Sequence, residues 1–134
     1  MLQEIRQHIT DFSFVESLQR AVRLLEPILA LLQSLEQDKP LLSQCLPAWY
    51  SVYQHVQSQA QENLHCFDSM RPVLRKRFLD KCYHPAMAAA FLVDPVYYKE
   101  DSTHTKYIPD DALIDRMDST LGIDIWKDAR NVVN

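Results

Sequence analysis

A single glycine, Gly122, in a chain of 134 residues restricts the fold more than any other feature. Tight β-turns draw on glycine because it takes positive φ without a Cβ clash, so a protein assembled from many hairpins is disfavoured. Helices call for such a residue only where they end. The length suits one domain that buries roughly two thirds of its unfolded surface. A composition of 47% hydrophobic and 24% charged residues is ordinary for a globular protein.

The apolar pattern agrees with helices. Residues 2–9 predict a short amphipathic helix through Leu2, Ile5 and Ile9, broken at Thr10 to Ser13. Ser13 and Glu16 match the S-x-x-E capping box, which predicts the next helix start. Phe14, Leu18, Val22, Leu25, Leu29, Leu32 and Leu35 then recur every three or four residues, the helical period. Pro27 lies inside this helix; it removes an N–H and crowds the carbonyl of Arg23, which predicts a kink. Asp38 reads as the cap of a following helix with Pro40 in its first turn. That helix carries Leu42, Cys45, Leu46, Trp49, Tyr53, Val56 and Ala60, and Pro47 either bends it or marks its true start. A third helix covers about Phe67 to Cys82, with Phe67, Met70, Leu74, Phe78 and Cys82 on one arc and Pro72 in its first turns.

Pro85 to Val93 is an uncharged run bracketed by His84-Pro85 and Asp94-Pro95. The residue before a proline avoids the α region, so His84 and Asp94 are corners. Pro85 suits the first helical position, and the alanines at 86, 88, 89 and 90 are the strongest helix formers. A short helix apolar all round is a buried one, which predicts the central helix of a bundle. Residues 96–109 read as a loop anchored by Tyr97, Tyr98 and Tyr107, with a short strand at Val96–Tyr98 as an alternative. Residues 110–121 predict an acidic helix with Leu113, Ile114, Met117 and Leu121 inward and Gly122 as its C-terminal cap. A last helix runs from Asp124 to Val132.

Net charge is −4, yet residues 1–93 carry nine acids against nine bases, and residues 94–134 carry nine against five. That acidic excess argues against non-specific nucleic-acid binding by the last third. Arg71, Arg75, Lys76, Arg77 and Lys81 form the one basic cluster. Three consecutive cations spread over about 200° of a helical wheel, so the first reading is a solvated helix surface. The second is contact by Arg71, Arg75, Lys76 and Arg77 with nucleic-acid phosphates or a protein partner. Cys45, Cys66 and Cys82 are odd in number and irregular in spacing, and the first ten residues lack an apolar signal core, so reduced intracellular thiols are expected. His65, Cys66, Cys82 and His84 lack the paired spacing of a structural zinc site. Asp94, Asp101, Asp110, Asp111, Asp115 and Asp118 have simpler readings as caps and turn residues than as magnesium ligands. Trp49 and Trp126 read as core or interface anchors. One glycine cannot make a phosphate-binding loop, and no stretch reaches the ~20 apolar residues of a membrane span. No catalytic, cofactor-binding or metal-binding residue is expected, no cofactor, and no small-molecule substrate.

The segment HPAMAAAFLVDPVYY resembles the H-P-x-x-A-A-A-[YF]-L-L-[DN]-P-x-[YF] stretch of hAT-superfamily transposases. His84, Pro85, Ala88, Ala89, Ala90, Phe91, Leu92, Asp94 and Pro95 match, and Val93 stands where leucine is usual. Upstream, LLEPILALLQSLEQDKPLLSQCLPAWYSVYQHV is similar to the family stretch in which a proline-bearing helix leads through D-K-P to a tryptophan-bearing one. Arg77-Phe78 lies where the family has Arg-Trp or Arg-Phe. The resemblance runs from about Phe14 to Tyr98. It implies the helical insertion that interrupts an RNase H-like core, and a nuclear location. The family's catalytic aspartates, its glutamate and its zinc finger have no counterpart here, so the resemblance transfers no catalytic residue.

The sequence thus predicts an all-α, irregular bundle of four to six helices. Residues 1–98 form the helical bundle that resembles the hAT insertion, and residues 99–134 an acidic loop with short C-terminal helices. The expected role is a non-enzymatic helical module derived from such a transposase, with a protein partner, self-association or DNA-backbone contact and no membrane. An apolar face left bare should accompany it. The alternative is an unrelated all-α protein–protein interaction scaffold, monomeric and polar-surfaced.

Overall fold

The computed structural model describes residues 1–37, 42–60 and 64–134, and only the backbone of residues 60 and 64–67. Among them are seven α-helices: α1 (Leu2–Thr10), α2 (Phe12–Leu35), α3 (Cys45–Ala60), α4 (Leu64–Arg77), α5 (Pro85–Val93), α6 (Asp111–Leu121) and α7 (Ile125–Val133). The fold is all-α, with more helices than the four to six expected. Short 3₁₀ turns occupy Leu42–Gln44 and Pro95–Tyr97, and a π-helical turn follows α4 at Phe78–Cys82.

α3 is the hub. It packs against α2, α4, α5 and α6, and Leu46, Trp49, Val52, Tyr53 and Val56 are all buried on it. Pro47 falls in the first turn of α3, where its missing N–H costs nothing, so it marks the helix start and does not bend it. α5 is wedged between α7 on one side and the Leu42–Gln44 turn and α3 on the other. Its bounds are those read from the sequence. His84 is extended (φ −136°, ψ 140°) and its Nδ1 accepts from the Ala86 N–H at 3.1 Å. Asp94 ends the helix, accepts from the Val96 N–H at 3.0 Å, and receives the Ser43 hydroxyl at 2.6 Å. Ala88 and Phe91 are buried, and the small alanines allow α7 to approach closely. The core continues through Ile114, Met117, Leu121, Ile125 and Ala129, so α2 and α3 share one cluster with α6 and α7. Trp49, Phe78 and Tyr83 stack through it, with ring centroids 5.3 Å apart at each step. The Tyr83 hydroxyl donates to Asp128 Oδ2 at 2.5 Å, tying the end of the π turn to α7.

Several expectations are corrected. α2 begins at Phe12, with its cap two residues earlier than the capping box suggests, because Asp11 accepts from the Ser13 N–H at 2.9 Å. Glu16 instead pairs with Arg20 at 2.8 Å. Pro72 sits well inside α4, not in its first turns. Cys82 is exposed, off the apolar arc assigned to it. The Tyr83 N–H bonds to the Phe78 carbonyl five residues back, at 2.8 Å, and this wider turn breaks the 3.6-residue extrapolation. The loop at 96–109 is a hairpin: β1 (Tyr98–Glu100) pairs antiparallel with β2 (Tyr107–Pro109), Tyr98 opposite Pro109 and Glu100 opposite Tyr107. It turns without glycine because the Asp101 carboxylate accepts the N–H groups of Thr103 and Thr105, at 3.2 and 3.0 Å, while His104 takes φ 53°. Trp126 is 41% exposed, so of the two tryptophans only Trp49 lies in the core. The cap expected at Asp38 and the Pro40 turn lie outside the described residues.

α6 and α7 follow the sequence closely. Asp110 caps α6 through the Leu113 N–H and pairs with Lys99 at 2.8 Å. Gly122 closes α6 in the left-handed region at φ 72°. Asp124 caps α7 through the Lys127 N–H at 2.9 Å.

Candidate functional site

A row of exposed apolar side chains lies along α2. All of residues 1–23 are exposed, so α1 and the first half of α2 form an arm beyond the body. The second half docks on α3 through Leu24, Ile28 and Leu31. At 3.6 residues per turn, a second apolar stripe lies about 120° around the helix from that contact. It comprises Val15, Leu18, Val22, Leu25, Leu29 and Leu32, of which all but Val15 are 51–55% exposed. Phe14 (44%) continues it toward α1.

Pro27 explains how the arm is held. An interior proline leaves the carbonyl four residues back without its helical donor. Here that carbonyl belongs to Arg23, and His55 Nε2 on α3 lies 2.9 Å from it. A carbonyl only accepts, so the imidazole carries a proton on Nε2 and donates it. α2 runs continuously across Pro27, with the bond lost within the helix replaced by one to its neighbour.

The basic cluster is divided. Arg75 is half-buried, with its guanidinium over Gly122 at the C-terminal end of α6, where a cation complements the helix dipole. Arg71 and Arg75 both lie near Tyr53: burial pushes that phenol up, and the two cations partly offset the shift. The Tyr53 hydroxyl is buried without a hydrogen-bond partner among the described residues. Arg71, Lys76 and Arg77 are exposed. Lys76, Arg77 and Lys81 line a shallow groove with Val73 and the carboxylate of Asp80. The structure therefore does not gather Arg71, Arg75, Lys76 and Arg77 into one surface.

Four of the six carboxylates weighed as metal ligands, Asp94, Asp101, Asp110 and Asp118, accept from backbone N–H groups. Asp94, Asp101 and Asp110 lie below the usual carboxylate range, held there first by the Ser43 hydroxyl, the Thr103 hydroxyl and the Lys99 ammonium respectively. Asp118 goes the other way: burial raises it, and Asp124, Asp115 and Asp128 add to the rise, although it accepts from the Ile125 N–H at 2.9 Å. Among the described residues no three His, Cys, Asp or Glu side chains converge as a metal site. Of the four residues considered for zinc, Cys82 is exposed, His84 caps α5, and the side chains of His65 and Cys66 lie outside the description. Burial pushes the Cys45 thiol up, which makes it a poor nucleophile. No described helix is long and apolar enough to cross a membrane. Comparison with protein-family models, curated proteins and solved structures finds no match.

Proposed function

We propose that this chain is a helical protein-interaction module whose working surface is the open stripe of α2. Its resemblance to the helical insertion of a hAT-type transposase suggests its ancestry, and no strand-transfer chemistry is assigned to it. One observation carries the reading: the apolar side chains from Leu18 to Leu32 stand about half open along a helix whose second half is fixed to a packed body. Burying a leucine or valine fully is worth about 1.5–3 kcal/mol. These five side chains held half open therefore leave on the order of 5 kcal/mol unrealised per chain. A contiguous patch of that kind marks a contact surface on a folded protein. The runner-up, a monomeric scaffold with a polar surface, expects the opposite. A DNA-backbone role would fall to Arg71, Lys76 and Arg77 and would show affinity that drops steeply with added salt.

The test is site-specific photo-crosslinking in the native cell, with a benzophenone side chain at position 25 and a control at position 20. A polypeptide adduct at 25 that is absent at 20 supports the reading. Equal adducts at both positions, or none at 25, overturn it.

A further inference from the structure

We infer that the occupant of the α2 stripe is a second copy of this chain, paired as a parallel two-stranded coiled coil in register. This rests on the stripe being an interaction surface, as proposed above. Val15, Leu18, Val22, Leu25, Leu29 and Leu32 are spaced 3-4-3-4-3, which is a heptad seam with Val15, Val22 and Leu29 at a and Leu18, Leu25 and Leu32 at d. β-branched residues at a with leucine at d favour two parallel strands, and valine fills two of the three a positions. The flanking positions permit such a pairing. In parallel register Phe14 faces Gln19 of the other copy and Ala21 faces Glu26, while Ile28 at the next such position is taken up by α3, so no like charges meet across the seam. The charged pair Glu16–Arg20 lies on the far side of the helix from the seam. The body hangs from the Leu24–Ile28–Leu31 side, about 120° away, so a neighbour along the seam clears it. A two-fold axis along the seam brings each side chain against its own counterpart, the self-complementary contact of a closed dimer.

The test is sedimentation equilibrium of the full chain from about 1 to 100 µM, the range that resolves micromolar affinity. The expected mass rises from 15.7 kDa to twice that value. The double variant Leu25→Glu/Leu29→Glu should stay monomeric with unchanged circular dichroism, its dissociation constant raised at least about 100-fold. Glu16→Gln should dimerise as the parent does. Val22→Cys in a Cys82→Ser background should, on mild oxidation, give a disulfide joining position 22 to position 22 of the second copy; its absence from a dimer overturns the parallel register. A chain monomeric throughout that range, or a dimer indifferent to Leu25→Glu/Leu29→Glu, overturns the second copy. If the chain is monomeric yet position 25 still photo-crosslinks to another protein, the second copy fails and the interaction surface stands. Monomer with no adduct at 25 overturns both.

Discussion

The bond from His55 to the Arg23 carbonyl should exist in energetic terms only because Pro27 is there. His55→Phe keeps an aromatic ring on α3 but removes the donor, leaving the carbonyl to whatever water can reach it. A net hydrogen bond of this kind is worth about 0.5–1.5 kcal/mol, and the geometry is good at 2.9 Å. The substitution should therefore cost about 1 kcal/mol, or about 4 °C in Tm for a domain of this size. Pro27→Ala supplies an N–H that bonds to the same carbonyl within the helix, and alanine is about 3 kcal/mol better than proline in a helix interior. In that background His55→Phe should cost close to nothing beyond altered packing, giving a coupling of about 1 kcal/mol between two residues on different helices. Urea unfolding followed by circular dichroism, with the slope unchanged, reads all four corners of the cycle. The four proteins must be compared at one concentration, because any association would add its own stabilisation. If His55→Phe costs the same with proline or alanine at 27, the replacement-donor account is wrong.

Three further outcomes follow from the C-terminal half and α5. Asp118→Asn keeps an acceptor for the Ile125 N–H while removing a carboxylate whose folded value is raised by burial. A raised carboxylate makes the folded state hold the proton longer, so the parent loses stability as pH rises from about 3.9 through the folded value. The variant should thus be the more stable at pH 7, with the advantage vanishing near pH 3; a variant weaker at pH 7 would contradict this. Gly122→Ala should cost about 1–2 kcal/mol, since φ 72° strains a Cβ and the Arg75 guanidinium must move aside. Gly122→Asn should cost less of the backbone term, because asparagine tolerates that region, and equal Tm losses would point to the guanidinium alone. Ala88→Leu should cost about 1–3 kcal/mol by overpacking, as Ala88 has no exposed surface; a Tm within 1 °C of the parent would show that the α5 surroundings can yield.

Where one residue type enforces one conformation, the fold was legible. His84-Pro85 and Asp94-Pro95 set both ends of α5 because the residue before proline is driven extended, and Gly122 ended α6 because a left-handed residue does so most cheaply. Where several local arrangements compete, or the deciding group comes from elsewhere in the chain, it was not. Nothing local distinguishes Asp11 from Ser13 as the cap of α2, since both can accept from a nearby N–H. The β1–β2 hairpin lacks glycine and so lacks the usual turn signal; Asp101 fixes it by collecting several backbone donors. Cys82 left its arc because a π turn cannot be inferred from a pattern that assumes 3.6 residues throughout. Arg75 looked like its basic neighbours, and only the arrival of Gly122 beneath its guanidinium separates it from them.

The stripe on α2 shows a different limit. Periodicity reports that a face is apolar and is silent on what covers it. The apolar arc of α2 is too wide for one neighbour: Leu24, Ile28 and Leu31 form one side and Leu18, Val22, Leu25, Leu29 and Leu32 another. A helix with two such sides buries both only against two neighbours, and the fold provides α3 for the first. A second molecule carries a stripe that already has the required spacing. The same leucines that would weaken a solitary monomer by inviting aggregation become, in a closed pair, the contact that ends further association.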